Sequence, residues 1–152
     1  MDRSFEYHQR RLATIDMTMI RDFESTISWD ARLIGIVGSR GTGKTTLMLQ
    51  HMKSVFGDAP QRMLYLSLDN IWFADNRLVD VVDYFTKRGG THLFLDEVHR
   101  YPFWMTEVKN LYDEYPALHI VFTGSSLLEL STEGGDLSRR ALMYELPGFS
   151  TP

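Results

Sequence analysis

The run Gly38-Ser39-Arg40-Gly41-Thr42-Gly43-Lys44-Thr45 constrains this chain more than any other stretch, because almost every position in it has a chemical task. It fits G-x-x-x-x-G-K-[ST], the pattern of a phosphate-binding loop. Glycines let the backbone curl so that successive N–H groups point at phosphate oxygens. Lys44 is a compact ammonium able to reach β- and γ-phosphates, and Thr45 offers a hydroxyl to Mg²⁺. The helix that follows, opening with Thr46, adds the positive end of its dipole. A glycine-rich turn without a ligand is the competing explanation, and the flanks argue against it. Leu33-Ile34-Gly35-Ile36-Val37 reads as a buried strand. Thr46 to Phe56 reads as a helix closed by Gly57 and Pro60. Strand, loop and helix stand in the order such a loop requires.

At 152 residues the chain is one domain of ordinary size with room for a sizeable core. Its 43% hydrophobic and 24% charged residues are those of a globular protein in water. A net charge of −4 and a pI near 5.7 give no global reason to expect nucleic-acid binding, which leaves only a local basic patch for it. No cysteine is present, so disulfides, thiolate metal sites and cysteine nucleophiles are excluded. The N-terminus lacks the apolar run of a signal peptide, and no stretch approaches the ~20 apolar residues of a membrane span. The expected setting is cytoplasmic.

Residues 1–28 read as an N-terminal helical segment, with Leu12, Ile15, Met19, Phe23 and Ile27 spaced as one apolar stripe. The stripe reads as a packing face against the rest of the chain, with partner binding as the alternative. A second strand is expected at Met63–Leu68 and a helix from about Asn76 to Lys87, ended by Gly89-Gly90. A third strand is His92–Asp96. Pro102 is placed to be the first residue of the next helix, which keeps Trp104, Val108, Leu111 and Tyr115 in register and stops at Pro116. Leu118–Phe122 is strand four. A short helix with Ser126 and Glu129 at capping-box spacing follows, then a polar loop over 131–138 and a last strand at Ala141–Leu146. Five apolar strands alternating with helices predict an α/β fold of three layers, with a parallel sheet covered on both faces. The chain after Leu146 stops abruptly and reads as cut.

A phosphate loop needs an acidic partner for Mg²⁺ at the end of another strand. Leu93-Phe94-Leu95-Asp96-Glu97 supplies one. Asp96 is the candidate metal ligand, since Mg²⁺ prefers hard oxygens. Glu97, just beyond the strand, is the candidate base for an attacking water. ATP-hydrolysing motors and switches place a glutamate there; small-molecule kinases and GTPases usually do not. Strand four runs into Thr123-Gly124-Ser125-Ser126, whose hydroxyls either sense a γ-phosphate or cap the next helix. Ser126 suits the cap, leaving Thr123 and Ser125 as sensors. Arg139 and Arg140, before the last strand, are candidates for an arginine offered to a neighbouring subunit's ATP, with plain surface arginine as the alternative. The five histidines lack metal-site spacing, and Trp29, Trp72 and Trp104 read as packing residues.

Together these stretches resemble a prokaryotic family of AAA-like P-loop ATPases, whose members typically carry a further C-terminal domain of unknown function. The likeness rests on Gly38 through Thr46, Phe94 through Trp104, Val108 through Asp113, Ile120 through Ser126, and Arg139 through Gly148. It implies ATP binding, hydrolysis, and a sheet ordered 5-1-4-3-2. Residues 29–152 would then be the ATPase domain, truncated at its C-terminus. His99 stands where the family frequently has glutamine, and Phe149-Ser150-Thr151-Pro152 departs from its usual continuation. The expected activity is a Mg²⁺-dependent ATPase, slow as an isolated domain, with a homo-oligomer or an unknown protein as partner. Two alternatives stay open: a nucleotide-dependent switch with negligible hydrolysis, and a small-molecule kinase using Asp69 to bind the acceptor hydroxyl.

Overall fold

The computed structural model describes residues 17–38, 43–124 and 140–146. In chain order they form α1 (Met17–Thr26), β1 (Leu33–Val37), α2 (Lys44–Phe56), β2 (Met63–Ser67), α3 (Leu78–Lys87), β3 (His92–Asp96), α4 (Trp104–Glu114), β4 (His119–Gly124) and β5 (Leu142–Glu145). Short 3₁₀ turns at Pro60–Arg62, Ile71–Ala74 and Val98–Arg100 link them. All strand pairings are parallel, in the order β2-β3-β4-β1-β5, which is the expected 5-1-4-3-2 read from the other edge.

Side chains alternate across a strand, so each apolar run divides between two cores. Leu33, Leu93, Leu95, Ile120 and Phe122 face one side, where Leu78, Val82 and Phe85 of α3 and Trp104, Val108 and Leu111 of α4 cover them. Ile34, Ile36, Phe94 and Val121 face the other, under Ile20 of α1 and Leu47, Met48, Met52 and Phe56 of α2. A fully buried side chain of this kind stabilises the fold by about 1.5–3 kcal/mol. Of the packing face expected of the N-terminal helix, Phe23 packs against this core and Ile27, just past the end of α1, is buried in it. The sequence stripe overlooked Ile20, which is fully buried. Leu12, Ile15 and the side chain of Met19 lie outside the described residues. His51 ties α1 to α2, its Nδ1 3.1 Å from Glu24 Oε2 and its ring stacked on Trp29 at 3.6 Å.

Several boundaries differ from expectation. Helix α2 begins at Lys44, two residues early, because Gly43 with φ 94° and ψ 17° takes the left-handed N-cap position. Helix α3 begins at Leu78, whose N–H donates to the Tyr101 hydroxyl at 2.9 Å. Pro102 is not the first residue of α4; Phe103, at φ 61°, is the N-cap and Trp104 opens the helix. Tyr115 lies just past that helix as its C-cap. Strand β2 stops one residue short of Leu68, and β5 omits Ala141 and Leu146. Strand β4 extends to Gly124 because Thr123 and Gly124 pair with Ile36 and Val37. The helix expected around Ser126 and the polar loop 131–138 lie outside the described residues.

Arg32 closes the end of the sheet where the strands start. Its Nη2 donates to the carbonyls of Tyr112 and Tyr115 at 2.8 Å each, its Nε to Leu118 at 3.2 Å, and its guanidinium lies 4.0 Å from the Tyr112 ring centroid. Carbonyls left over at the C-terminus of α4 are thereby satisfied. Among the described residues no helix is long and apolar enough to cross a membrane.

Candidate functional site

Because all five strands are parallel, their C-terminal ends converge on one edge, and the chemistry-bearing residues sit there. Gly38 leaves β1 with its N–H donating to Gly124 O at 3.3 Å. Its own carbonyl accepts from Lys44 Nζ at 2.8 Å. Lys44 is only 7% exposed, and burial lowers its pKa, while the charges of Glu97 and Asp96 act in the opposite direction. Thr46 follows, half-buried, in the first turn of α2. Ser39, Arg40, Gly41 and Thr42 lie outside the described residues.

Asp96 ends β3 and is 2% exposed. Three hydroxyls donate to its carboxylate. Thr45 Oγ1 and Tyr65 Oη each reach Oδ2 at 2.6 Å, and Thr123 Oγ1 makes a short bond to Oδ1. Sheet register explains the set. Tyr65 and Ser67 pair with Phe94 and Asp96, so Tyr65 shares Asp96's face, two residues back on the neighbouring strand. Thr123 stands on the other side of Asp96, one step beyond the pair Leu95–Phe122.

Glu97 turns out of the strand with φ 55° and ψ 50°, a left-handed conformation costing a non-glycine residue about 1–2 kcal/mol. Its N–H is held by Thr123 Oγ1 at 3.1 Å. One threonine hydroxyl therefore accepts from Glu97 and donates to Asp96, joining the candidate base to the candidate metal ligand. Glu97 Oε1 lies 3.4 Å from His99 Nε2, both side chains about one-third exposed.

A hydroxyl and a carboxylate 2.6 Å apart form a hard-oxygen donor pair, which fits Mg²⁺. No cluster of three or more His, Asp or Glu able to hold a metal occurs among the described residues. Mg²⁺ commonly takes one or two protein ligands and completes its shell from phosphates and water.

The structure thus brings Gly38, Gly43, Lys44, Thr45, Asp96, Glu97 and Thr123 to one edge. Arg140 is elsewhere. It precedes β5, whose Leu142 pairs with Ile34 near the start of β1, so it lies at the opposite end of the sheet from Lys44. There its Nε is 3.4 Å from Asp113 Oδ1. Ser125 and Arg139 lie outside the described residues. Trp29 and Trp104 pack as expected, on His51 and Phe122 respectively. Two site residues escaped sequence reasoning. Tyr65 reads as an ordinary strand aromatic until the register is known. His99 reads as a stray histidine, although its spacing from Glu97 suits a contact across one tight turn.

Residues 30–152 match the AAA domain family. The chain belongs to that family. A relative, uncharacterized protein MJ1637 of Methanocaldococcus jannaschii, is 38% identical over 118 residues, 72% of this chain and 24% of its own length. The chain therefore spans about a quarter of that relative. Among solved structures, DnaA from Aquifex aeolicus with AMPPCP bound aligns at a TM-score of 0.52 and 20% identity, over 85% of this chain and 44% of that one. PCH-2 of C. elegans aligns at 0.50 and 23%, over 88% of this chain and 40% of that one. The DnaC helicase loader aligns at 0.52 and 18%, over 86% and 87%. At such identities these likenesses speak to the fold alone.

Proposed function

We propose that the chain binds ATP with Mg²⁺ and hydrolyses it to ADP and phosphate. The observation that carries this reading is the convergence of Gly38, Lys44, Thr45, Asp96, Thr123 and Glu97 at one end of the sheet. Membership of the AAA domain family supports nucleotide as the ligand. The loop's backbone N–H groups and Lys44 bind phosphates, the ammonium exchanging the Gly38 carbonyl for a phosphate oxygen. Thr45 and Asp96 would hold Mg²⁺, which would neutralise charge on the phosphates. Glu97 orients a water and takes its proton as the water attacks the γ-phosphorus; the bond from that phosphorus to the β,γ-bridging oxygen breaks, and ADP leaves. Thr123 keeps Glu97 at its post, and Ser125 is the second hydroxyl proposed to sense the γ-phosphate.

Turnover by a single chain is proposed to be slow, since an arginine offered by a neighbouring subunit can contribute about 10³–10⁵ in rate. Arg139 or Arg140 belongs, in this reading, to a neighbouring subunit's site, because Arg140 stands far from its own Lys44.

Binding is tested by thermal unfolding with and without Mg²⁺ and ATP. At about 100 times Kd, ligand stabilises by about 2.7 kcal/mol, or about 5–10 °C for a domain of this size. Lys44→Ala should remove most of that shift. An equal shift in the mutant would mean that nucleotide binds elsewhere.

A further inference from the structure

The buried carboxylate of Asp96 is held from three directions, and only two of the holders, Thr45 and Thr123, belong to segments whose motifs announce phosphate chemistry. The third is Tyr65, in the middle of β2. Its Cα partner is Phe94, so its side chain rises on the face covered by α2 and leans along the strand toward Asp96, the diagonal neighbour. The hydroxyl ends 2.6 Å from Oδ2, the oxygen that Thr45 also reaches at 2.6 Å. A phenol used only for packing would have no reason to bring its oxygen to that point.

We infer that Tyr65 is a positioning residue for the metal-binding carboxylate: its hydroxyl fixes Asp96 Oδ2 opposite Thr45. This rests on the reading of Thr45 and Asp96 as the Mg²⁺ site. An ionised carboxylate has about four acceptor positions, and three are filled by hydroxyls here. Thr45 Oγ1 keeps its lone pairs while it donates to Asp96, so it can hold a cation without giving up that bond. Tyr65 and Thr123 clamp one carboxylate oxygen each, so Asp96 keeps its orientation and its remaining acceptor position stays open to a cation. Tyr65 touches neither phosphate nor reacting water in this account; it acts through Asp96. Outer partners of metal ligands commonly contribute 10–100-fold to metal affinity.

The test is Tyr65→Phe, which keeps the ring and removes only the hydroxyl. Mg²⁺ is titrated at a fixed concentration of a non-hydrolysable ATP analogue, and the thermal midpoint is read at each step, with an EDTA sample as the Mg²⁺-free reference. Tyr84→Phe, at an exposed tyrosine, is the control. The expected result is a Mg²⁺ half-saturation raised about 10–100-fold in Tyr65→Phe, with the EDTA shift unchanged and Tyr84→Phe like wild type. A merely structural tyrosine would lower the midpoint of the unliganded protein and leave the Mg²⁺ half-saturation where it was; that result overturns the inference alone. A wild-type protein whose analogue-induced shift ignores Mg²⁺ would sink both this inference and the metal site beneath it.

Discussion

Replacing Thr123 with valine changes the shape of the side chain little and removes one oxygen that serves two partners. Thr123 is fully buried. Its hydroxyl donates to Asp96 and accepts the Glu97 N–H at 3.1 Å. Losing a hydrogen bond to a charged group costs about 1.5–3 kcal/mol, and leaving a buried N–H without a partner costs about 1–3 kcal/mol. The two losses share one atom, so they will not add fully. About 2–5 kcal/mol is the expected range, against a total stability of about 5–15 kcal/mol for a domain. The loss should appear without nucleotide, because both bonds exist within the chain itself. Urea unfolding of wild type, Thr123→Ser and Thr123→Val measures it, with serine retaining most of the stability. Hydrolysis should fall in the valine variant because the left-handed turn at Glu97 is no longer held. A valine variant within about 0.5 kcal/mol of wild type would refute the reasoning and leave Thr123 as a phosphate sensor only.

Two further outcomes follow from the far end of the sheet. Arg32→Ala should cost about 2–4 kcal/mol in the same unfolding assay, since it removes the charged donor from the Tyr112 and Leu118 carbonyls; Arg32→Lys should recover only part, as an ammonium lacks the second nitrogen that reaches Leu118 and the planar group that lies on the Tyr112 ring. The pKa of His92 is lowered to about 4, mainly by burial and then by the charge of His119, whose ring stacks on it at 4.5 Å. The unfolded chain takes up a proton near pH 6.5 that the folded chain refuses, so this contribution is whole above about pH 6.5 and fades as pH falls toward 4. His92→Gln should flatten the pH dependence of the unfolding midpoint within that window; an unchanged slope would count against it.

The phosphate loop, the Asp96-Glu97 pair and the parallel sheet were legible because each depends on local pattern: a glycine spacing, an apolar run ending in acid, strands alternating with helices. The order of the strands came with the family resemblance. What could not be read depends on register or on single backbone angles. Nothing near Tyr65 in sequence says that its oxygen meets an aspartate on the next strand. The left-handed turns at Glu97 and Phe103 fall on residues that rarely adopt them, so Pro102 looked like the better helix start. Nothing in the sequence singles out Arg32, whose role depends on the end of α4 lying beside it. Arg140 illustrates the same gap, since parallel pairing sends it away from its own phosphate loop.

The central claim is that Glu97 does the proton chemistry at a nucleotide site built by its neighbours. The most direct measurement is phosphate release from Mg²⁺ and ATP by wild type and Glu97→Gln, with bound nucleotide quantified in the same samples. An amide keeps the shape of the side chain and cannot take the proton. Glu97→Gln should therefore hold ATP as wild type does and release phosphate at least about 100-fold more slowly. Release at the wild-type rate from a mutant that still binds ATP would contradict the account.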